Sequence, residues 1–172
     1  MREILFRGKC FYNGKWVKGF IAASRENMYP NGFEMITVDG INYNELDGCI
    51  PHFTSYAVDP STIGQYTGLK DKNGKKIFEG DVVQYLTYSD FDCQSTVKFG
   101  VYKQDGSDGE YKASNCLGFY VELGNSTCPG WYDNEPEMFY DYLKQQSLAE
   151  IASRCEVIGN IYDNPELIRN EV

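Results

Sequence analysis

Apolar and polar positions alternate in short runs along most of this chain, the period-two pattern of strands with one buried face. From Glu3 to Cys10, Ile4, Phe6 and Gly8 face one way while Glu3, Arg7 and Lys9 lie off that face. Asn13-Gly14 follows, between Phe11-Tyr12 and Lys15-Trp16-Val17, and Asn-Gly between β-forming residues predicts a two-residue hairpin turn. The second strand is expected from Trp16 to Ala22. A further hairpin is expected around Asp39-Gly40, with arms over Phe33–Val38 and Ile41–Tyr43. Short strands are then predicted at Ser55–Val58, Ile63–Tyr66, Val82–Tyr88, Thr96–Tyr102, Leu117–Leu123 and Cys155–Tyr162. Pro60 lacks the N–H that a central strand needs, so Asp59-Pro60 marks a boundary. Thr96–Tyr102 is the expected antiparallel partner of Val82–Tyr88.

Helical spacing is confined to one region. Glu137 to Glu150 is free of Gly and Pro, and Phe139, Leu143, Leu148, Ile151 and Ala152 form partial stripes, predicting a helical segment near 137–153. Many short strands against one helical segment predict a mainly-β domain built as a barrel or roll. Residues 1–172 read as a single domain, with an N-terminal β-hairpin lobe over 1–58 and a barrel-like core over 59–168. The segments Thr62–Tyr66 and Val157–Ile161 echo each other, each with a β-branched pair before Gly and an amide after it. Their flanks do not match, so convergent strand chemistry explains the echo better than duplication.

Composition sharpens this picture in three ways. The 14 Tyr and 10 Phe favour pleated surfaces and support the strand reading. The formal net charge of −9 repels phosphate backbones, so nucleic-acid binding would need a local basic patch acting against the global field. The six cysteines contain no Cys-x-x-Cys pair, no signal-peptide pattern follows Met1, and no apolar run approaches the ~20 residues of a membrane span. Buried, reduced thiols in a cytoplasmic protein are the expectation, with no structural zinc and no cofactor.

The stretch Thr62–Val83 holds four glycines, Gly64, Gly68, Gly74 and Gly80, and four lysines, Lys70, Lys72, Lys75 and Lys76. Turn chemistry accounts for it first. Asp71 is placed to bond nearby backbone, Asn73-Gly74 suits positive φ, and Glu79-Gly80-Asp81 reads as a tight turn into a buried strand. The lysines form the candidate interaction loop, for phosphate, nucleic acid or an acidic partner, although Asp71, Glu79 and Asp81 interrupt the patch. The central Gly-Lys is followed by Lys76 where a P-loop needs Ser or Thr, so no nucleotide fingerprint is present.

Catalytic groupings are sparse. His52 is the lone histidine and reads as an ordinary loop or strand-edge residue. Asp105–Glu110 is too short for an EF-hand loop and reads as a hairpin tip. Nothing in the spacing of Asp90, Asp92, Asp133, Glu135 and Glu137 specifies a Mg²⁺ site. The chain is therefore not expected to be an enzyme. Aromatic residues in loop-like context, Trp131 and Tyr132 with Tyr85 and Tyr88, are the candidate interface, with self-association the first use of it.

Three segments resemble one family. Glu3–Arg7, the run I-G-Q-Y-T-G-L-K-D-K-N-G-K-K-I-F-E-G-D-V-V over Ile63–Val83, and C-E-V-I-G-N-I-Y-D-N-P-E-L over Cys155–Leu167 are similar to the YopX-like proteins of bacteriophages and prophages. The resemblance spans nearly the whole chain and leaves Tyr88–Ser153 without a motif. It implies a mainly-β fold with an SH3-like barrel or roll at its centre, and a phage or prophage accessory role. It carries no catalytic residues across. The function expected is a non-enzymatic, homo-oligomeric protein-interaction module contacting host or phage proteins. The alternative is a nucleic-acid-binding barrel using Lys70–Lys76.

Overall fold

The structure, a computed structural model, describes residues 3–21, 33–37, 42–43, 51–52, 54–86, 92–104, 114–122 and 145–168. The chain divides into two compact units, Met1–Gly68 and Leu69–Val172.

In the first unit, β1 (Phe6–Lys9) pairs antiparallel with β2 (Trp16–Ile21), β2 with β3 (Phe33–Thr37), and β3 with β6 (Ser55–Val58). On its other side β1 pairs with the start of β7 (Gly64–Lys70). The β1–β2 loop is longer than the Asn-Gly signal predicts. Cys10 N–H donates to Lys15 O, and Gly14 N–H donates back to Cys10 O, so Phe11 and Tyr12 are exposed loop residues instead of strand. Gly14 still takes the left-handed conformation at φ +65°. β4 (Asn42–Tyr43) pairs with β5 (Pro51–His52), so β3 and β4 are not the two arms of one hairpin. Asp39-Gly40 lies outside the described residues.

Asp59 ends β6 as the sequence suggests. Its Oδ1 accepts from Ser61 N–H at 2.9 Å, capping a 3-10 turn over Pro60–Thr62. Thr62 Oγ1 then accepts from Lys9 N–H at 2.8 Å. Cys10, Val17 and Val58 form this unit's small core, with Phe6 and Ile63 against it.

The second unit is built on a five-stranded antiparallel sheet in the order β12-β11-β10-β9-β13. Its strands are β9 (Asp81–Leu86), β10 (Asp92–Gln104), β11 (Ser114–Glu122), β12 (Gln145–Ser147) and β13 (Glu156–Asn160). The short strand β8 (Lys76–Phe78) precedes it. β9 pairs antiparallel with β10, but through Asp92–Thr96: of the expected partner Thr96–Tyr102 only Thr96 lies opposite β9, at Val82, and the rest of that segment pairs with β11. The mainly-β reading holds, but among the described residues no barrel closes: β12 and β13 end the sheet, and no pairing joins them.

The helical expectation shrinks. Among the described residues of that segment, Gln145–Ser147 is strand, paired with Tyr120–Glu122, and Leu148–Ile151 forms a helix, α1, of a single turn. Residues 137–144 lie outside the described set. So short a helix is not stable by propensity, and burial of Leu148 and Ile151 beside Ile77, Val97, Val121 and Val157 holds it. Of the cysteines, Cys10, Cys116 and Cys155 are free thiols as expected, whereas Cys93, fully buried in this core, is disulfide-bonded. The expectation of reduced thiols rested on the lack of a signal-peptide pattern, and the Cys93 disulfide corrects it. No helix among the described residues is long and apolar enough to cross a membrane.

Truncating the fully buried Ile151 to Ala should destabilise the fold by about 2–4 kcal/mol, because it opens a cavity under α1. Ala149→Ser on the exposed side of the same turn should change stability by less than about 0.5 kcal/mol. Urea unfolding followed by tryptophan fluorescence measures both.

Candidate functional site

The glycine- and lysine-rich loop after β7 is a three-residue hairpin loop. Gly74 N–H donates to Asp71 O, Asp71 N–H donates to Lys75 O, and Gly74 adopts φ +80°. That pattern is a turn closed by a glycine bulge, which a side chain at position 74 would strain. Asp71 organises the loop. Its Oδ1 accepts from Asn73 N–H and Lys75 N–H, each at 2.9 Å, and its Oδ2 accepts from Val157 N–H at 3.0 Å. Only 5% of Asp71 is exposed. Burial by itself would raise its pKa; the three backbone donors and the nearby Lys75 charge outweigh that and hold the carboxyl below its ordinary 3.8.

The lysines complete the attachment to β13. Lys72 N–H donates to Cys155 O at 3.0 Å, and its ammonium pairs with Glu156 at 2.8 Å. Hydrogen bonding to Glu156 raises the Lys72 pKa against a smaller opposing effect of burial. Lys75 Nζ donates to Val157 O at 3.1 Å. Val157 lies opposite Val83 of β9, and its own N–H and C=O are taken on the outer edge of β13, the last strand of the sheet. Asp71 takes its N–H and Lys75 its C=O, so two side chains stand in for a sixth strand and blunt an exposed edge. Of the four candidate lysines, Lys72 and Lys75 serve this attachment, Lys70 is exposed and Lys76 is half-buried in β8.

A second tie joins the same two motifs. Gly80 N–H donates to Val97 O, and Ile161 N–H donates to Gly80 O. Gly80 has φ +79°, and a Cβ there would lie 3.3 Å from Tyr162. Asp81, fully buried, accepts from Phe78 N–H at 2.8 Å. Beyond β13, Asn160 Oδ1 accepts from the N–H groups of Tyr162 and Asp163, closing the Asp163-Asn164-Pro165 turn. Beside the loop, Cys155 Sγ is buried against Ala152 O; burial first, and then the Asp71 charge, push its thiol up to about 11.

The aromatic candidates fare differently. Tyr85 is 2% exposed and belongs to the core, because β9 has both neighbours and turns this face inward. It is not an interface residue. Tyr88, Trp131 and Tyr132 lie outside the described residues, as do the Asp105–Glu110 loop and the His52 side chain. Among the described residues no three His, Cys, Asp or Glu side chains converge on a metal-sized site.

The open surface is elsewhere, on the β10–β11 hairpin, which the sequence reading found as strands and did not single out. Val97 pairs with Val121, Phe99 with Phe119 and Val101 with Leu117, so all six side chains share one face. Val97 and Val121 are buried, but exposure then rises to 50% at Phe99, 64% at Val101 and 71% at Leu117. Phe99 and Phe119 are in tilted ring contact at 5.0 Å. Beyond Thr96, β10 has no partner in β9, and β12 reaches only Tyr120–Glu122 of β11, so the outer part of the hairpin is a two-stranded ribbon among the described strands. Matched alternation of Val97-Phe99-Val101 with Leu117-Phe119-Val121 is the signal that aligns them. At the base of the ribbon Lys98 pairs with Glu122, and this hydrogen bond lowers the Glu122 pKa against the effect of burial.

Asp71→Asn should cost about 2–3 kcal/mol at neutral pH, since one amide oxygen cannot serve the donors on both carboxylate oxygens. Because the folded pKa lies below the unfolded one, the Asp71 contribution is present above about pH 4 and is lost as pH falls through the folded value. The variant should therefore show a flatter decline in stability over that acid range; urea midpoints measured at several pH values test it. Cys155 works in the opposite sense: its raised pKa adds stability below 9.0 that is lost as pH rises toward about 11. A thiol reagent on native protein at mildly alkaline pH should label the half-exposed Cys116 and spare Cys10 and Cys155, as read by peptide mass mapping.

A solved structure, that of protein EF1440 from Enterococcus faecalis, is similar to this chain at 20% identity, covering 98% of this chain and 100% of that one, with a TM-score of 0.43. No curated protein matches the sequence. The YopX protein family model matches residues 22–169, which include the loop, its docking strand and the hairpin, and the chain belongs to the YopX protein family.

Proposed function

We propose that the chain is a phage or prophage accessory protein that acts by binding proteins, its own copies included, and not by catalysis. The observation that carries this reading is the apolar strip of Phe99, Val101 and Leu117, open to solvent beside the half-buried Phe119 on a hairpin whose base is core. Contiguous exposed apolar side chains on a folded domain mark interaction surfaces more often than accidents of composition. The alternative, nucleic-acid binding through the lysine loop, draws less support, since Lys72 and Lys75 are engaged in holding β13 and the net charge is −9.

The test compares the tagged full chain with Val101→Asp and Leu117→Asp in capture from a bacterial host lysate, with captured proteins quantified by mass spectrometry. Specific partners should fall by about tenfold or more in both variants, and Lys70→Ala should leave them unchanged. Capture profiles indifferent to the strip substitutions would overturn the reading.

A further inference from the structure

We infer that the strip on the β10–β11 hairpin receives a second copy of this chain, packed face to face across a two-fold axis; the inference rests on the proposed function and names its partner. The other face of the hairpin is already used. Tyr102 is buried and stacked on Tyr120 at 5.3 Å, and Gln104 bonds Glu150. Among the described residues the Phe99 face is left exposed at Phe99, Val101 and Leu117, and a two-stranded ribbon gains stability when its apolar face is covered.

Charge selects the occupant. Residues 97–104 and 114–121 hold Lys98 and Lys103 and no Asp or Glu, in a chain whose net charge is −9. Lys98 is neutralised by Glu122. Two copies of so acidic a chain repel over most of their surface, and the strip is where they approach without burying a carboxylate. Shape agrees with a two-fold arrangement. An axis between the Phe99–Phe119 and Val101–Leu117 pairs lays the large pair of one copy on the smaller pair of the other, so one surface complements itself.

The strip is smaller than the ~800 Å² per partner of a standard interface, so association should be weak and concentration-dependent, in the micromolar range or above. Its salt dependence has a definite sign. Added salt screens the repulsion between two acidic bodies and leaves the apolar contact intact, so the dimer should tighten as ionic strength rises. Attachment through complementary charges would loosen.

Sedimentation equilibrium of the full chain, without reductant so that the Cys93 disulfide stays intact and from micromolar to millimolar concentration, tests this at low and high sodium chloride. A reversible dimer is expected, tightened by salt, unaffected by Cys116→Ser, and weakened by at least about tenfold in Val101→Asp and Leu117→Asp. Both positions are exposed, so urea midpoints should stay near the parent; Val101→Thr and Leu117→Thr, which suit a strand, serve if an aspartate variant fails to fold. A strict monomer at every concentration, a dimer that salt dissolves, or a dimer that all strip variants retain would each overturn the inference. A monomer that still captures host protein through the strip defeats the second-copy inference alone. A strip-dependent dimer whose captured proteins ignore the strip defeats the broader reading alone.

Discussion

A buried carboxylate governs the second unit. Asp71 is nearly inaccessible, and an ion in that position persists only when its oxygens are satisfied by donors fixed in place. Three backbone N–H groups meet this demand, two from its own loop and one from Val157, which is distant in sequence. The loop cannot keep its shape without the charge, and the charge cannot stay buried without β13. Local turn chemistry and long-range strand placement thus become one condition. The lysines belong to the same condition, Lys75 through its bond to Val157 O and Lys72 through Glu156.

This explains why two long glycine-bearing segments far apart in sequence act together. The segment Ile63–Val83 supplies the loop, its carboxylate and the Gly80 turn, and Cys155–Leu167 supplies the strand edge and the turn that receive them. Each is half of one contact. A glycine at 80 admits the approach of Tyr162, and a glycine at 159 leaves room for Asn164 and Leu167, whose nearest atoms would meet a Cβ at 2.6 and 2.8 Å. Residues that look like a ligand-binding signature in one dimension are, in three, the fastening of a sheet edge.

Legibility follows from the range of the interaction that sets each feature. Strand positions set by alternation and turn residues were readable: β6, β9 and β13 fall close to their expected places, as does positive φ at Gly14 and Gly74. The role of Asp71 was half readable. Its bonds within the loop follow from Asp-x-Asn-Gly chemistry, but its bond to Val157 spans 86 residues and no local rule anticipates it. The segment 145–147 carried helical spacing and became strand because β11 offered Tyr120–Glu122 as a partner. Tyr85 looked like an interface aromatic because alternation cannot say which face of a strand the core will claim. The strip on β10–β11 was hidden for the same reason: Val97, Phe99 and Val101 read alike in sequence, and only the reach of the core separates the buried first from the exposed last.

The two treatments of exposed β-structure in this unit point to where function resides. At β13 the chain spends an aspartate, two lysines and a glycine turn on covering an edge that would otherwise invite pairing. On the outer β10–β11 strands it leaves apolar side chains open, and residues 97–104 and 114–121 hold no carboxylate or proline to discourage contact. A chain under the same solubility constraint in both places, carrying −9 overall, treats them oppositely. Protection of one and exposure of the other is economical if the first must never associate and the second must. The motifs that mark the family lie on the protected side, and the open strip lies in the stretch without a motif. The motifs therefore account for how this unit is fastened together, whereas the contact proposed above falls on residues the motifs do not include.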